Sequence, residues 1–286
     1  MFNIQSQLLA GTSDNGREVA FEASPNINAH PIVPKFLVFH YTACSFDAAR
    51  RTFLDGYGAN RVSAHLLVDE DGSVVQFVPF NQRAWHAGTS FWRGFTDLNS
   101  HSIGIEVVNH GYLLRRADGG FTTSDGSQQV SADRVVEVRH KNTAEPHRYW
   151  HAYTSEQIET CAQLAQLLVA SFGLSEVVGH DDIAPERKVD PGPAFPMRRM
   201  TSRAIGRAGD DAMGQRLFVS ADRLNLRSGP GVQYQLVRAP LVQNTMVIAR
   251  SGNTDGWLQV EAEVSAPNIG WVASGYLRSA PLVSAQ

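Results

Sequence analysis

The amino-acid sequence predicts an α/β domain, a mixed central sheet flanked by helices, followed by a small all-β domain. Three observations carry this reading. Strand-like and helix-like segments alternate up to about residue 200. Residues 201 to 215, TSRAIGRAGDDAMGQ, are small and polar without periodicity, as suits a linker. From 216 to 286 short apolar runs are separated by Gly, Pro, Asn and Asp clusters, the spacing of a small barrel. The expected division is 1–200, a linker over 201–215, and 216–286.

Along the chain, Lys35 to His40 is a short apolar run rich in strand formers, set off by Pro31 and Pro34. It predicts a buried strand delivering a polar side chain at its C-terminal end. Ser45 is placed to cap a short helix with Phe46, Ala49 and Phe53 on one face, ending near Gly56. Ser63 to Asp69 and Ser73 to Val78 are extended runs joined by Asp69-Glu70-Asp71-Gly72, with glycine where a hairpin loop wants positive φ. In Ser102 to Asn109, Ile103, Ile105 and Val107 alternate with Gly104, Glu106 and Val108, so one strand face is apolar and Glu106 lies on the other.

From Gly111 to about Pro146 the text turns polar and irregular, and it reads as a long insertion bordering a site. Thr154 with Gln157 makes a capping box, and Ile158, Cys161, Ala165 and Leu168 recur at helical spacing until Gly173. Val177 and Val178 form a brief strand ending at Gly179-His180. Pro185, Pro191 and Pro193 then forbid regular structure in the loop from Asp181 to Phe195.

A formal net charge of -3 with 19% charged residues offers no basic field for a nucleic-acid backbone. No run of about 18 apolar residues occurs, so membrane insertion is not expected. The opening MFNIQSQLLAGTSDNGREVAFEA lacks the parts of a secretory signal. Cys44 and Cys161 are the only cysteines, too few for a disulfide framework or a Cys-rich zinc site, and both are expected as small core residues.

Three side chains are candidates for a metal: His40 and His180 at strand ends, and Asp190 ten residues after His180. Zinc accepts imidazole nitrogen and carboxylate oxygen, and a catalytic site uses three protein ligands with a fourth position open. Glu106, among isoleucines and valines, is expected to have a raised pKa suited to a general base.

Five segments in order resemble the motifs of the type 2 N-acetylmuramoyl-L-alanine amidases. They are Phe39-His40-Tyr41-Thr42, Val62-Ser63-Ala64-His65, Ala84-Trp85-His86-Ala87-Gly88, Ser102-Ile103-Gly104-Ile105-Glu106, and the block from Gly179 to Pro193. The resemblance implies that His40, His180 and Asp190 bind one zinc ion, that Glu106 is catalytic, and that Lys188 approaches the tetrahedral intermediate. It also implies that Tyr41, Trp85 and His86 line the cleft, while His65 and Asn109 are candidates to orient ligands or substrate. Recognition proteins and phage members carry cysteine at the third ligand position, so Asp190 groups the chain with the bacterial amidases.

Leu224-Asn225-Leu226-Arg227-Ser228-Gly229-Pro230-Gly231, with Gly256-Trp257 and Gly270-Trp271 further on, resembles the bacterial SH3-like domain found beside cell-wall hydrolases. A module of that kind holds a catalytic domain near a polymer. The leading expectation is therefore zinc-dependent hydrolysis of the amide between N-acetylmuramic acid and L-alanine, with peptidoglycan (sacculus or muropeptides) as partner. Two alternatives stand beside it: a non-catalytic peptidoglycan-binding protein, and an assembly protein that uses the barrel for protein contacts. Action at the wall after lysis or non-Sec delivery, as an endolysin or antibacterial effector, and cytoplasmic recycling are all compatible with the sequence.

Overall fold

The computed structural model describes residues 1–55, 61–142, 147–204, 216–251 and 256–278. The chain divides into two compact units, Met1–Gly206 and Arg207–Gln286. Of the expected linker, residues 201–204 belong to a helix and 205–215 lie outside the described residues.

The first unit is organised by a six-stranded mixed sheet. Its strands are β1 (Ala20–Phe21), β2 (Phe36–Tyr41), β3 (Leu66–Val68), β4 (Val74–Gln76), β5 (Ser102–Val107) and β6 (Glu176–Gly179), in spatial order β6-β2-β5-β3-β4-β1. Neighbours run parallel except β3 and β4, the expected hairpin. Its turn places Gly72 at φ 79°, a conformation that costs glycine little.

The alternation seen in the sequence sorts side chains to two faces. Leu37 and Phe39 of β2, with Ile103, Ile105 and Val107 of β5, form one apolar face. The helix α2 (Ser155–Phe172) packs on it through Cys161, Leu164, Ala165 and Leu168. Each fully buried leucine here contributes roughly 1.5–3 kcal/mol. The capping box is formed, with the Thr154 side chain accepting from the Gln157 N–H and the Gln157 side chain from the Thr154 N–H. Gly173 closes the helix at φ 63°. A further helix, α3 (Met197–Ala204), buries Met200 and Ala204 in the same core.

The opposite face carries Phe36, Val38 and His40 of β2 beside Ser102, Gly104 and Glu106 of β5, with Glu106 the register partner of His40. Part of it is covered by α1 (Phe46–Leu54), whose Ala49 and Phe53 meet Leu67 and Phe77. Leu98, Ala87 and Ile183 cover Phe36 and Val38. Ser45 occupies the N-cap of α1 but makes no side-chain capping bond, and Gly56 lies outside the described residues.

The segment expected to be an irregular insertion is instead a five-stranded antiparallel sheet, and that reading is corrected. Its order is Gln129–Val130, Phe121–Thr123, Tyr112–Arg115, Tyr149–His151, Val135–Glu137. Strands of two to four residues are too short to display alternation, while the turn signals around Gly119 and Gly126 mark its hairpins. The loop after β6 also differs from expectation. It opens with one helical turn, His180–Ile183, completed before Pro185 can interrupt it.

The second unit holds a five-stranded antiparallel sheet in the order Ile269–Ala273, Trp257–Ala262, Met246–Ala249, Arg216–Val219, Leu277–Arg278. A two-stranded ribbon pairs Arg223–Leu224 with Leu241–Val242. Val219, Leu226, Val247, Val260 and Val272 fill its core. The run Leu236 to Pro240 contributes only an isolated bridge, Leu236 to Arg227. Arg227 Nη1 instead donates to the carbonyls of Val232 and Tyr234, at 2.9 and 2.8 Å, and holds the Gly-Pro-Gly loop in a non-extended shape. Both cysteines are free; Cys161 is buried and Cys44 half-buried. No helix among the described residues is long and apolar enough to cross a membrane.

Candidate metal centre

The site lies at the C-terminal ends of the parallel strands, where open α/β sheets leave their crevices. His40 is the fifth residue of β2, His180 follows β6, the neighbour of β2, and Asp190 ends the loop that His180 begins. All three are buried. His40 Nδ1 lies 2.9 Å from His180 Nδ1 and 3.1 Å from Asp190 Oδ2, and His180 Nδ1 lies 3.0 Å from the same oxygen.

Their outer partners decide what these atoms carry. His180 Nε2 is 3.0 Å from the Ala87 carbonyl, which can only accept, so a neutral His180 has its proton on Nε2 and a bare Nδ1. Ser102 Oγ donates to the Leu98 carbonyl at 2.5 Å, so it receives its contact at 3.4 Å from a proton on His86 Nε2. That leaves His86 Nδ1 to accept, and His40 Nε2, 2.9 Å away, to donate. His40 Nδ1 is then bare as well. Burial, with His180 beside it, lowers the His40 pKa to about 4, and burial with His40 and His65 nearby puts His86 well below the usual range.

With both imidazoles neutral in these tautomers, two lone pairs and a carboxylate oxygen converge, an arrangement that a cation at their centre converts from repulsion to attraction. A tetrahedron with bonds near 2.05 Å has edges of roughly 3.3 Å, so the separations found here need open only slightly to hold zinc. Among the described residues, this trio forms the group that could hold a metal.

Glu106 projects on the same face as its register partner His40. Its Oε2 is buried with no hydrogen-bond partner among the described residues. Burial first, and the Asp190 charge second, push its carboxyl up to about 8, against a smaller lowering by Lys188. Lys188 lies near enough for its charge to act on both His40 and Glu106.

The remaining expected residues are distributed differently. His86 stands behind His40, ring centroids 5.0 Å apart, and lies across β5 where a Cβ on Gly104 would come within 2.4 Å of its ring. His65 follows at 5.8 Å from His86. Its Nδ1 accepts from the Gly104 N–H and its Nε2 donates to the Gln82 carbonyl, both at 3.0 Å, and burial lowers its pKa to about 4.

Asn109 spends its amide on backbone, donating to the His151 carbonyl and accepting from the Gly111 N–H. Trp85 faces Arg83, whose guanidinium sits 3.7 Å from the ring centroid. Tyr41 leaves β2 on the side opposite His40 and packs over Gly111, with burial and the Asp190 charge raising its phenol pKa.

Three contributors were not assigned a role from the sequence. Ser102 terminates the hydrogen-bond chain behind His40. Asn99 accepts from the N–H groups of His86 and Ala87 at 2.9 and 2.7 Å, fixing that loop. Arg187 donates to the carbonyls of Ala87 and Thr89, tying the loop from His180 to Asp190 to it. Ser102 and Arg187 fall within the motifs that begin at Ser102 and run from Gly179 to Pro193, their one available signal; Asn99 had none.

A family model described as N-acetylmuramoyl-L-alanine amidase matches residues 29–193. The N-acetylmuramoyl-L-alanine amidase AmiD of Escherichia coli is 35% identical over 187 residues, covering 62% of this chain and 55% of AmiD. The 1,6-anhydro-N-acetylmuramyl-L-alanine amidase AmpD of Salmonella typhimurium is 36% identical over 137 residues, covering 47% of this chain and 53% of AmpD. A crystal structure of selenomethionine AmpD aligns with a TM-score of 0.47 at 28% identity, over 69% of this chain and 96% of that one. The chain spans about half the length of the curated relatives it matches. Because the family match runs through the strand bearing His40, the strand bearing Glu106 and the loop bearing His180 and Asp190, it is a match to the site itself, and the chain belongs to the N-acetylmuramoyl-L-alanine amidase family.

Proposed function

We propose that this chain hydrolyses the amide between the lactyl group of N-acetylmuramic acid and L-alanine in peptidoglycan, using one zinc ion held by His40, His180 and Asp190. The observation that carries the proposal is the convergence of three buried donor atoms on the sheet face that also holds Glu106, whose Oε2 is buried without a hydrogen-bond partner among the described residues. Zinc, when bound, supplies Lewis acidity, acidifying water and polarising a carbonyl.

The chain's own residues do the rest. In its ionised form Glu106 takes a proton from the attacking water as the new C–O bond forms. It returns the proton to the alanine nitrogen as the C–N bond breaks, leaving a free L-Ala amine and a lactyl carboxylic acid that loses its remaining proton to solvent. A group poised near the working pH is suited to both transfers, and such catalysis contributes about 100- to 10,000-fold. The ammonium of Lys188 stabilises the developing oxyanion. His86, through His40, and the Ala87 carbonyl, through His180, fix the faces their rings present.

We read residues 216–286, within the unit Arg207–Gln286, as an SH3-like barrel that binds wall polymer, on the support of the Leu224–Gly231 motif and the five-stranded antiparallel sheet. In this reading residues 1–200 form the catalytic domain and 201–215 join it to the barrel.

The test is release of stem peptides from purified sacculi, with and without a chelator, for wild type and His180→Ala, read by mass spectrometry. Zinc-dependent appearance of free L-Ala amino termini and peptide-free glycan is the expected result. Sacculi that bind zinc-replete protein yet lose no bond would replace the amidase with a wall-binding protein.

A further inference from the structure

The five-stranded sheet between β5 and α2 has no part in the chemistry just described, yet residues at and beside its margins reach both ends of the metal loop. At the first end, Asp181 follows the ligand His180, and its N–H donates to the carbonyl of the ligand Asp190 at 2.8 Å. The backbone of this one residue therefore ties the two ligand positions together. The Asp181 carboxylate is held in turn from outside the loop. His140 Nε2 donates to one oxygen at 2.9 Å and Lys141 Nζ to the other at 2.8 Å, while Lys141 also reaches Asp182 at 2.6 Å.

His140 is itself fixed. Its Nδ1 accepts from the Asn142 N–H at 3.0 Å, and its ring stacks on Trp150. Asn142 also donates to the Pro185 carbonyl within the metal loop.

At the other end, Trp150 lies under Gly192, where a Cβ would come within 2.8 Å of the indole. Tyr153 Oη donates to the Pro191 carbonyl at 2.8 Å. Gly179 completes the fit, since a Cβ there would meet Asp181 Oδ1 at 2.3 Å and Pro191 Cδ at 2.7 Å.

We propose that this sheet is a brace for the metal centre, with Lys141 and His140 as positioning residues that act through Asp181 to hold His180 and Asp190 at zinc-binding separation. His40, on β2, needs no such support because the central sheet fixes it. The two ligands on the loop are held by the turn, the cross-loop bond, the contacts of His180 and Arg187 with the Ala87 segment, and the brace. The inference rests on the zinc reading of the three ligands.

The test uses the full chain as wild type, Lys141→Ala, Lys141→Arg, His140→Phe and His180→Ala. Zinc affinity is measured by competition with a chromophoric chelator, the visible spectrum is recorded with cobalt in place of zinc, and the melting midpoint is measured for metal-free protein. Lys141 is half exposed, so its loss leaves the fold intact. Lys141→Ala is expected to bind zinc about 10-fold more weakly and His140→Phe up to about 100-fold, each with a changed cobalt spectrum. Lys141→Arg restores both readouts, and metal-free Lys141→Ala melts with wild type. Wild-type affinity and spectrum in Lys141→Ala, or an affinity loss matched by an equal fall in metal-free stability, overturns the brace. Zinc binding by His180→Ala equal to wild type overturns the underlying metal reading instead.

Discussion

Glu106→Gln separates the carboxyl's electrostatic cost from everything else in the molecule. The folded chain holds this proton to about pH 8, whereas the unfolded chain releases it near 4.5. Unfolding therefore sheds a proton throughout that window. A group raised on folding lends its stability below the unfolded pKa and withdraws it as pH climbs through the folded one. With those two values, wild type loses about 3.5 kcal/mol from this group between pH 5 and pH 8, and glutamine loses none. The buried neutral histidines His40 and His65 act in the opposite sense, stabilising above their unfolded pKa of 6.5 and ceasing to as pH falls toward 4. They are common to both proteins and cancel in the difference. Denaturant unfolding of chelator-treated wild type and Glu106→Gln at half-unit pH steps is the assay. The stability difference should widen by up to about 1.4 kcal/mol per pH unit and level off above pH 8. Parallel profiles would refute the claim that Glu106 is held protonated by burial.

Three further expectations concern single positions. His86→Ala removes the acceptor of His40 Nε2 and the ring lying across Gly104, and should weaken zinc binding about 10- to 100-fold by chelator competition. Gly192→Ala forces a side chain onto φ 74° and into the Trp150 ring, so thermal melts should show a loss of about 1–3 kcal/mol. Gly270→Ala places a Cβ 2.7 Å from the Arg227 carbonyl, and should destabilise the second unit by about 1–3 kcal/mol while zinc affinity stays at the wild-type value.

What could be read in advance was local. The alternation of Ile103, Ile105 and Val107 with Gly104 and Glu106 put the glutamate on its own face, and strand parity is all that required. Thr154 with Gln157, Gly72 and Gly173 announced a cap, a turn and a helix end through their own chemistry.

What stayed hidden was pairing across distance. Nothing near Asp181 indicates that His140 and Lys141, some forty residues earlier, hold its carboxylate. The brace sheet consists of strands too brief for any period to show. His86 and His65 were recognisable as motif residues, but only the folded chain reveals that one supports His40 from behind and the other is spent on backbone.

The pairing of His40 with Glu106 across β2 and β5 carries a last consequence. Neighbouring strands sit about 4.8 Å apart in every sheet, a spacing set by the peptide hydrogen bond and indifferent to side-chain identity. The spacing of the backbone positions that carry the proposed zinc-binding imidazole and the proposed proton-transferring carboxylate is thus measured by a ruler that mutation cannot restretch. Selection for a different substrate, pH range or metal has little purchase on that half of the centre. It must act on the other half, in the loop from His180 to Asp190 and the contacts that hold it, where a single side-chain change can move a ligand without breaking the sheet.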